Sequence, residues 1–198
     1  EVCRMRNTPV IVFINKMDRE AKDPFDLLDE LEEELSIHVR PLTWPIESGI
    51  RFKGVYNIYE QNLNLYQPSK QVVTEKMNID ISTEALDQQI GASLADKLRS
   101  ELELIDGVYP EFDKEAYLRG ELAPVFFGSA LNNFGVQELL DCFVEIAPSP
   151  RAVIAEEREV KPDEPKFTGF VFKITANIEP NHRSCIAFCK ICSGKFSR

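Results

Sequence analysis

The chain has 198 residues, enough to bury a substantial core in one domain or two small ones. Its 43% hydrophobic and 28% charged content is ordinary for a globular protein, and no apolar stretch approaches the roughly 20 residues of a membrane span. A net charge of −10 argues against broad, salt-driven nucleic-acid binding; only residues 148–198, with 9 basic and 6 acidic groups, lean the other way.

The chain opens on Glu1-Val2-Cys3-Arg4-Met5-Arg6, with neither an initiator Met nor a signal-peptide pattern, and reads as an excerpt beginning at the end of a helix. An apolar run, Pro9-Val10-Ile11-Val12-Phe13-Ile14, then reads as a buried strand and gives way to Asn15-Lys16-Met17-Asp18. A helix is expected next, with Asp23 as N-cap, Pro24 in the first turn and Phe25, Leu28, Leu31 and Leu35 as its apolar stripe. The acidic cluster Glu30, Glu32, Glu33 and Glu34 is the wet face of that helix.

Between 39 and 75 the runs Val39–Trp44, Gly54–Tyr59, Leu63–Tyr66 and Val72–Thr74 are short, aromatic or β-branched, and read as antiparallel hairpins. Trp44, Tyr56, Tyr59 and Tyr66 are expected to pack on a neighbouring helix and not to stack on bases. Ser82 reads as the cap of one long helix carrying Leu86, Ile90, Leu94, Leu98, Leu102 and Ile105, stopped by Asp106-Gly107. A short helix from Asp113 to Gly120 follows.

Pro124-Val125-Phe126-Phe127-Gly128 reads as a second buried strand, running through Ser129-Ala130-Leu131 into a helix with Val136, Leu139, Leu140, Phe143 and Ile146 on its apolar side. Residues 1–40 and 121–147 are thus strand–helix units of one α/β sheet, with 41–120 inserted between them. Pro148-Ser149-Pro150 marks a boundary, residues 151–166 read as a charged linker, and Thr168–Thr175 and Ser184–Cys192 as two strands of a further β-domain.

Asn-Lys-x-Asp at a strand end is the chemistry-bearing signal. In open α/β sheets ligands bind outside the carboxyl ends of strands. The tetrapeptide resembles the guanine-reading motif of GTPases. That resemblance implies that Asp18 would accept from guanine N1–H and the N2 amine, that Asn15 would meet N7 and brace the loop, and that the Lys16 methylenes would lie along the base. Ser129-Ala130 resembles the second base-contacting motif, whose backbone N–H reaches guanine O6 and whose Ser supports the Asp carboxylate. The phosphate half is missing: the sole Gly-Lys, Gly194-Lys195, has Cys189 where a phosphate loop needs its first Gly, and no Asp-x-x-Gly occurs. No catalytic residue is therefore expected in this chain, and hydrolysis is assigned to residues upstream of Glu1.

His182, Cys185, Cys189 and Cys192 are a permissible zinc set by identity. Strand alternation, however, sends Cys185 and Cys189 to one face and Cys192 to the other, so no metal site is expected and these thiols read as small buried hydrophobes. Five cysteines with no secreted-domain spacing imply a reduced, cytoplasmic compartment.

Thr8–Arg19, Leu42–Ile46, Phe52–Tyr56, Glu101–Leu104, Pro124–Leu131, Asn133–Val136 and Phe167–Lys173 together resemble the bacterial peptide chain release factor 3 family of translational GTPases. The resemblance implies an α/β fold. It would be the C-terminal half of a P-loop GTPase-type sheet (1–40 and 121–147) with an inserted α+β subdomain (41–120). A linker (148–166) and the first strands of an elongation-factor-like β-barrel (167–198) would follow. It implies that Asn15, Lys16, Asp18, Ser129, Ala130 and Leu131 contact the base, and that the parent protein binds GTP or GDP with Mg, none of it held tightly by this piece alone. The implied partners are the ribosome and the codon-reading release factors. Elongation factor G is the nearest sibling by phrase, and a non-catalytic partner-binding module is the reading from another class. The open edge of the first strand is expected to be covered by a neighbour or a second copy.

Overall fold

The computed structural model describes residues 2–5, 8–66, 76–176 and 185–197, which divide into two units, Glu1–Ala147 and Pro148–Arg198. The first unit runs α1 (Val2–Met5), β1 (Val12–Ile14), α2 (Pro24–Leu35), β2 (His38–Pro41), β3 (Thr43–Ile46), β4 (Gly54–Asn57), β5 (Asn62–Leu65), β6 (Lys76–Met77), α3 (Glu84–Ile90), α4 (Ala92–Val108), α5 (Lys114–Leu118), β7 (Leu122–Phe127) and α6 (Val136–Ile146). No described helix is long and apolar enough to cross a membrane.

Local chemistry accounts for α2. The Asp23 carboxylate accepts the Phe25 N–H at 2.9 Å, Pro24 begins the helix, and Ser36 ends it in the left-handed region at φ 51°. The helix lays Leu28, fully buried, and Phe25 against the sheet, where Phe25 meets Trp44 at 4.7 Å between ring centroids.

β1, β7 and β2 form a parallel sheet in the order β1-β7-β2, with Val12 opposite Val125 and His38 opposite Leu122. All six residues of β7 are buried because it is paired on both sides and covered by helices. β1 is shorter than the apolar run that contains it and only half-buried, since among the described residues it is paired on one side alone.

The run Val39–Trp44 does not act as one hairpin strand. It divides at Leu42: β2 joins the parallel sheet, whereas β3 opens an antiparallel sheet of order β3-β4-β5-β6. The chain stays beside β7 through the division, with the Leu42 N–H donating to the Val125 carbonyl (2.8 Å) and the Phe127 N–H to the Thr43 hydroxyl (2.9 Å). Trp44, fully buried, packs edge-on against Phe127 at 5.5 Å and donates its indole N–H to Glu101 of α4 at 2.8 Å. Tyr56 is likewise core; Tyr59 is 43% exposed and donates to Glu145. The segment 72–74 lies outside the described residues.

Two helices replace the single long one expected from Ser82. Gly91, at φ 92° and ψ 144°, separates α3 from α4, a conformation open to Gly and to few other residues. Leu86, Ile90, Leu98 and Ile105 keep one buried stripe across the break, so the spacing looked continuous. Thr83 precedes the first helix, and the second runs past Gly107 to Val108.

α6 also turns differently from its expected face. Glu138, Cys142 and Ile146 are buried, while Leu140 and Phe143, assigned to the core by spacing, are exposed together with Val144. Glu138 faces inward because its carboxylate accepts the Asn64 side-chain amide of β5 at 2.8 Å.

In the second unit the charged linker carries a small hairpin, β8 (Val153–Ile154) with β9 (Glu159–Val160), its turn closed by the Ala155 N–H donating to the Arg158 carbonyl at 2.9 Å. β10 (Thr168–Ala176) and β11 (Cys185–Ser193) pair antiparallel, with register shifts at Thr168/Gly169 and Val171/Lys173. The reading of Cys185 and Cys189 as buried hydrophobes is corrected: both are exposed, and Cys192 is half-buried beside a register shift, because this two-stranded ribbon is open on both faces. Among the described residues no three His, Cys, Asp or Glu side chains gather in metal-binding geometry; His182 lies outside them.

Candidate functional site

The site is built where β1 and β7 end side by side. Pairing places Ile14 opposite Phe127, so the two following loops emerge from neighbouring strands at the carboxyl edge of the sheet. The Gly128 N–H donates to the Ile14 carbonyl (3.0 Å), and the Gly128 carbonyl accepts the Met17 N–H (3.0 Å), so the strand ladder continues into both loops.

Asn15 ties the loops together. Its side-chain oxygen accepts the Lys16 N–H and, from the other loop, the Ala130 N–H, both at 2.8 Å. With that oxygen committed twice, the Asn15 amide nitrogen remains as a donor. Lys16 sits at φ 69°, an uncommon conformation for a non-Gly residue, and its carbonyl accepts the Arg19 N–H to close a tight turn. This turn buries Met17 completely, leaves Lys16 exposed and holds Asp18 half-buried. Among the described residues nothing hydrogen-bonds or ion-pairs with the Asp18 carboxylate.

The second loop is equally organised. Ser129 and Phe134 exchange backbone hydrogen bonds (2.9 and 3.0 Å) around the 3-10 turn Ala130–Asn132. The Ser129 hydroxyl accepts the Asn132 side-chain amide at 2.8 Å and makes no bond to Asp18, so the support expected from it is not direct. The Ala130 N–H, in the pair whose backbone is expected to reach guanine O6, donates to Asn15. The remaining backbone donor of the Ser129–Leu131 triplet is the Leu131 amide.

The site therefore offers a carboxylate with two free acceptor positions, an amide donor, a backbone donor and an exposed lysine stem, converging from two loops. That donor and acceptor set fits a guanine edge. The sequence model of the elongation factor Tu GTP binding domain family matches residues 1–149.

The chain belongs to that family. Its sequence is that of a GTP-binding translation factor, with the α/β fold of a GTPase-type domain followed by β-strands. Members of the elongation factor Tu GTP-binding family use GTP or GDP with Mg. In these 198 residues the fit extends to the base alone, since neither a phosphate-cradling loop nor an Asp-x-x-Gly is present to meet phosphate or Mg.

Several residues of the site escaped sequence reasoning. Met17 is held from behind: its carbonyl accepts the Gly49 N–H at 2.9 Å, from the turn between β3 and β4. Phe134 lies edge-on to both Phe52 (5.6 Å) and Tyr66 (5.4 Å). The available signal was Asn133-Phe134-Gly135 three residues after the Ser-Ala pair, where Asn133 and Gly135 both take positive φ.

Proposed function

We propose that residues 1–147 supply guanine specificity in a translational GTPase of the release factor 3 type, and not the phosphate binding or the hydrolysis. The observation that carries the base-reading role is the bond from the Ala130 N–H to the Asn15 side chain, which joins two distant motifs into one surface. In this reading Asp18 accepts from guanine N1–H and N2, Asn15 donates to N7, Leu131 N–H meets O6, and Lys16 covers one face of the ring. Ser129 and Ala130 shape the second loop. The release-factor assignment is supported by the ordered phrases Leu42–Ile46 and Phe167–Phe170. They favour it over an elongation factor G-like factor and bring the ribosome and codon-reading release factors as partners.

On the same reading, residues 1–40 and 121–147 belong to the GTPase half, 41–120 form its insertion, 148–166 link, and 167–198 begin a barrel. The open edge of β1 is the surface through which the isolated chain self-associates; a monodisperse monomer in sedimentation would contradict that.

The test is Asp18→Asn in the complete polypeptide. An amide presents one donor and one acceptor where the carboxylate presents two acceptors, so preference should pass from GDP to xanthosine diphosphate. Unchanged GDP binding would remove the base-reading role. A ribosome assay separates the families: acceleration of codon-reading release factor dissociation supports the release factor, and tRNA translocation in its place would overturn it.

A further inference from the structure

The antiparallel sheet touches both base-reading loops from behind. Its β3–β4 turn donates the Gly49 N–H to the Met17 carbonyl. Gly49 sits at φ 65°, and an added Cβ would lie 3.4 Å from the backbone nitrogen and the Cγ of Glu20, so the turn and the Asp18 loop are in close approach. Phe52, 95% buried, stands between that turn and the second loop, in contact with Phe134 and at 5.1 Å from Tyr66. Tyr66, at the end of β5, is pinned by its own N–H donating to the Lys53 carbonyl at 2.7 Å. Its ring closes on Phe134.

Phe134 is not a distant contact, since it exchanges both backbone hydrogen bonds with Ser129. The Tyr66 hydroxyl also feels the Asp18 charge: burial first, and then that carboxylate, push it above the ordinary tyrosine range. One aromatic side chain of the antiparallel sheet thus lies against the second loop and within electrostatic reach of the residue expected to read the base.

We propose that Tyr66, with Phe52, is a positioning residue for guanine recognition: its ring clamps Phe134 and fixes Asp18 and the Ser129–Leu131 turn in register. This rests on the base-reading role proposed for Asp18. The antiparallel sheet is then a structural part of the nucleotide-specificity site, and its two aromatics set how sharply guanine is distinguished from related bases.

The experiment uses the complete polypeptide carrying Tyr66→Ala, Phe52→Leu or Tyr66→Phe, with Asp18→Asn alongside. Affinities for GDP, inosine diphosphate and xanthosine diphosphate are measured by direct calorimetric titration of each variant. Inosine lacks the N2 amine, so the GDP-to-inosine-diphosphate ratio reads Asp18 placement directly and does not change when a fraction of the protein is merely unfolded. Tyr66→Ala and Phe52→Leu should each lower that ratio, and GDP affinity with it, by roughly 3- to 30-fold. Tyr66→Phe keeps the ring and should leave both within about twofold of the parent, below that range. A ratio unchanged in Tyr66→Ala and Phe52→Leu, with Asp18→Asn still switching to xanthosine diphosphate, would overturn the clamp and leave the base-reading role intact. Tyr66→Phe as poor as Tyr66→Ala would overturn the role of the ring. Failure of Asp18→Asn to switch would remove the base-reading role and the clamp together.

Discussion

The Asn15 side-chain oxygen accepts the Ala130 N–H at 2.8 Å although 115 positions separate the two residues. It accepts the Lys16 N–H at the same distance, so one side-chain atom holds the start of both loops. Asn15→Ala leaves two backbone donors without their acceptor, at about 1 kcal/mol each, and should weaken GDP binding roughly 10- to 30-fold. Calorimetric titration of the complete polypeptide checks this; an affinity within twofold of the parent would show that the loops are held by other means.

Gly128 is a tight point at the start of the second loop. An added Cβ would lie 2.3 Å from the Phe134 carbonyl oxygen and 2.8 Å from the Phe13 ring, and neither β7 nor the turn can withdraw. Gly128→Ala should therefore destabilise the chain by about 1–3 kcal/mol. Gly107, inside α4, has nothing within 4 Å of the same position, so Gly107→Ala should stabilise by about 0.5–1 kcal/mol. Urea unfolding of the two variants separates the cases, and equal midpoints would contradict both.

Glu101 gives the stability a pH dependence. Burial disfavours its carboxylate more than the Trp44 N–H and Lys97 favour it, so its pKa is raised above 4.5. The folded chain then holds this proton more tightly than the unfolded chain does. The stabilisation is complete below the unfolded value and is lost as pH rises through the folded one. Glu101→Gln keeps an acceptor for Trp44 and removes that loss. Its melting temperature should match the parent near the acid end and exceed it by about 1–4 °C at neutral pH. A difference that shrinks as pH rises would reverse the assignment.

What could be read from the chain alone follows the range of the forces involved. The α2 cap at Asp23, the β7 strand and the Asn15–Asp18 turn are set by neighbours in sequence, and they stand where spacing placed them. The partner of an extended run is not a local property, so nothing in Val39–Trp44 announced that Leu42 divides two sheets. The inward position of Glu138 on α6 was not legible, because its partner Asn64 lies 74 positions away, whereas the apolar Leu140 and Phe143 are exposed. Gly91 was legible in principle as a helix breaker and was masked by an unbroken apolar spacing. The Phe52–Tyr66–Phe134 cluster joins three separate segments, and no short window contains it.

The pairing of β1 with β7 has a kinetic consequence. Those strands lie far apart along the chain, and bringing such distant segments together costs chain entropy before any contact rewards it. β2 and β3 run on from one another, and the first pairs with β7 while the second roots the antiparallel sheet, so folding of the intervening segment carries β7 most of the way to its partner. By loop-closure entropy alone, the two loops would be among the last parts of residues 1–147 to meet. Capture of a guanine nucleotide would accordingly report that the segment between the loops has finished folding, and a ribosome-bound nascent chain would gain base recognition abruptly, only once β7 has been synthesised and docked.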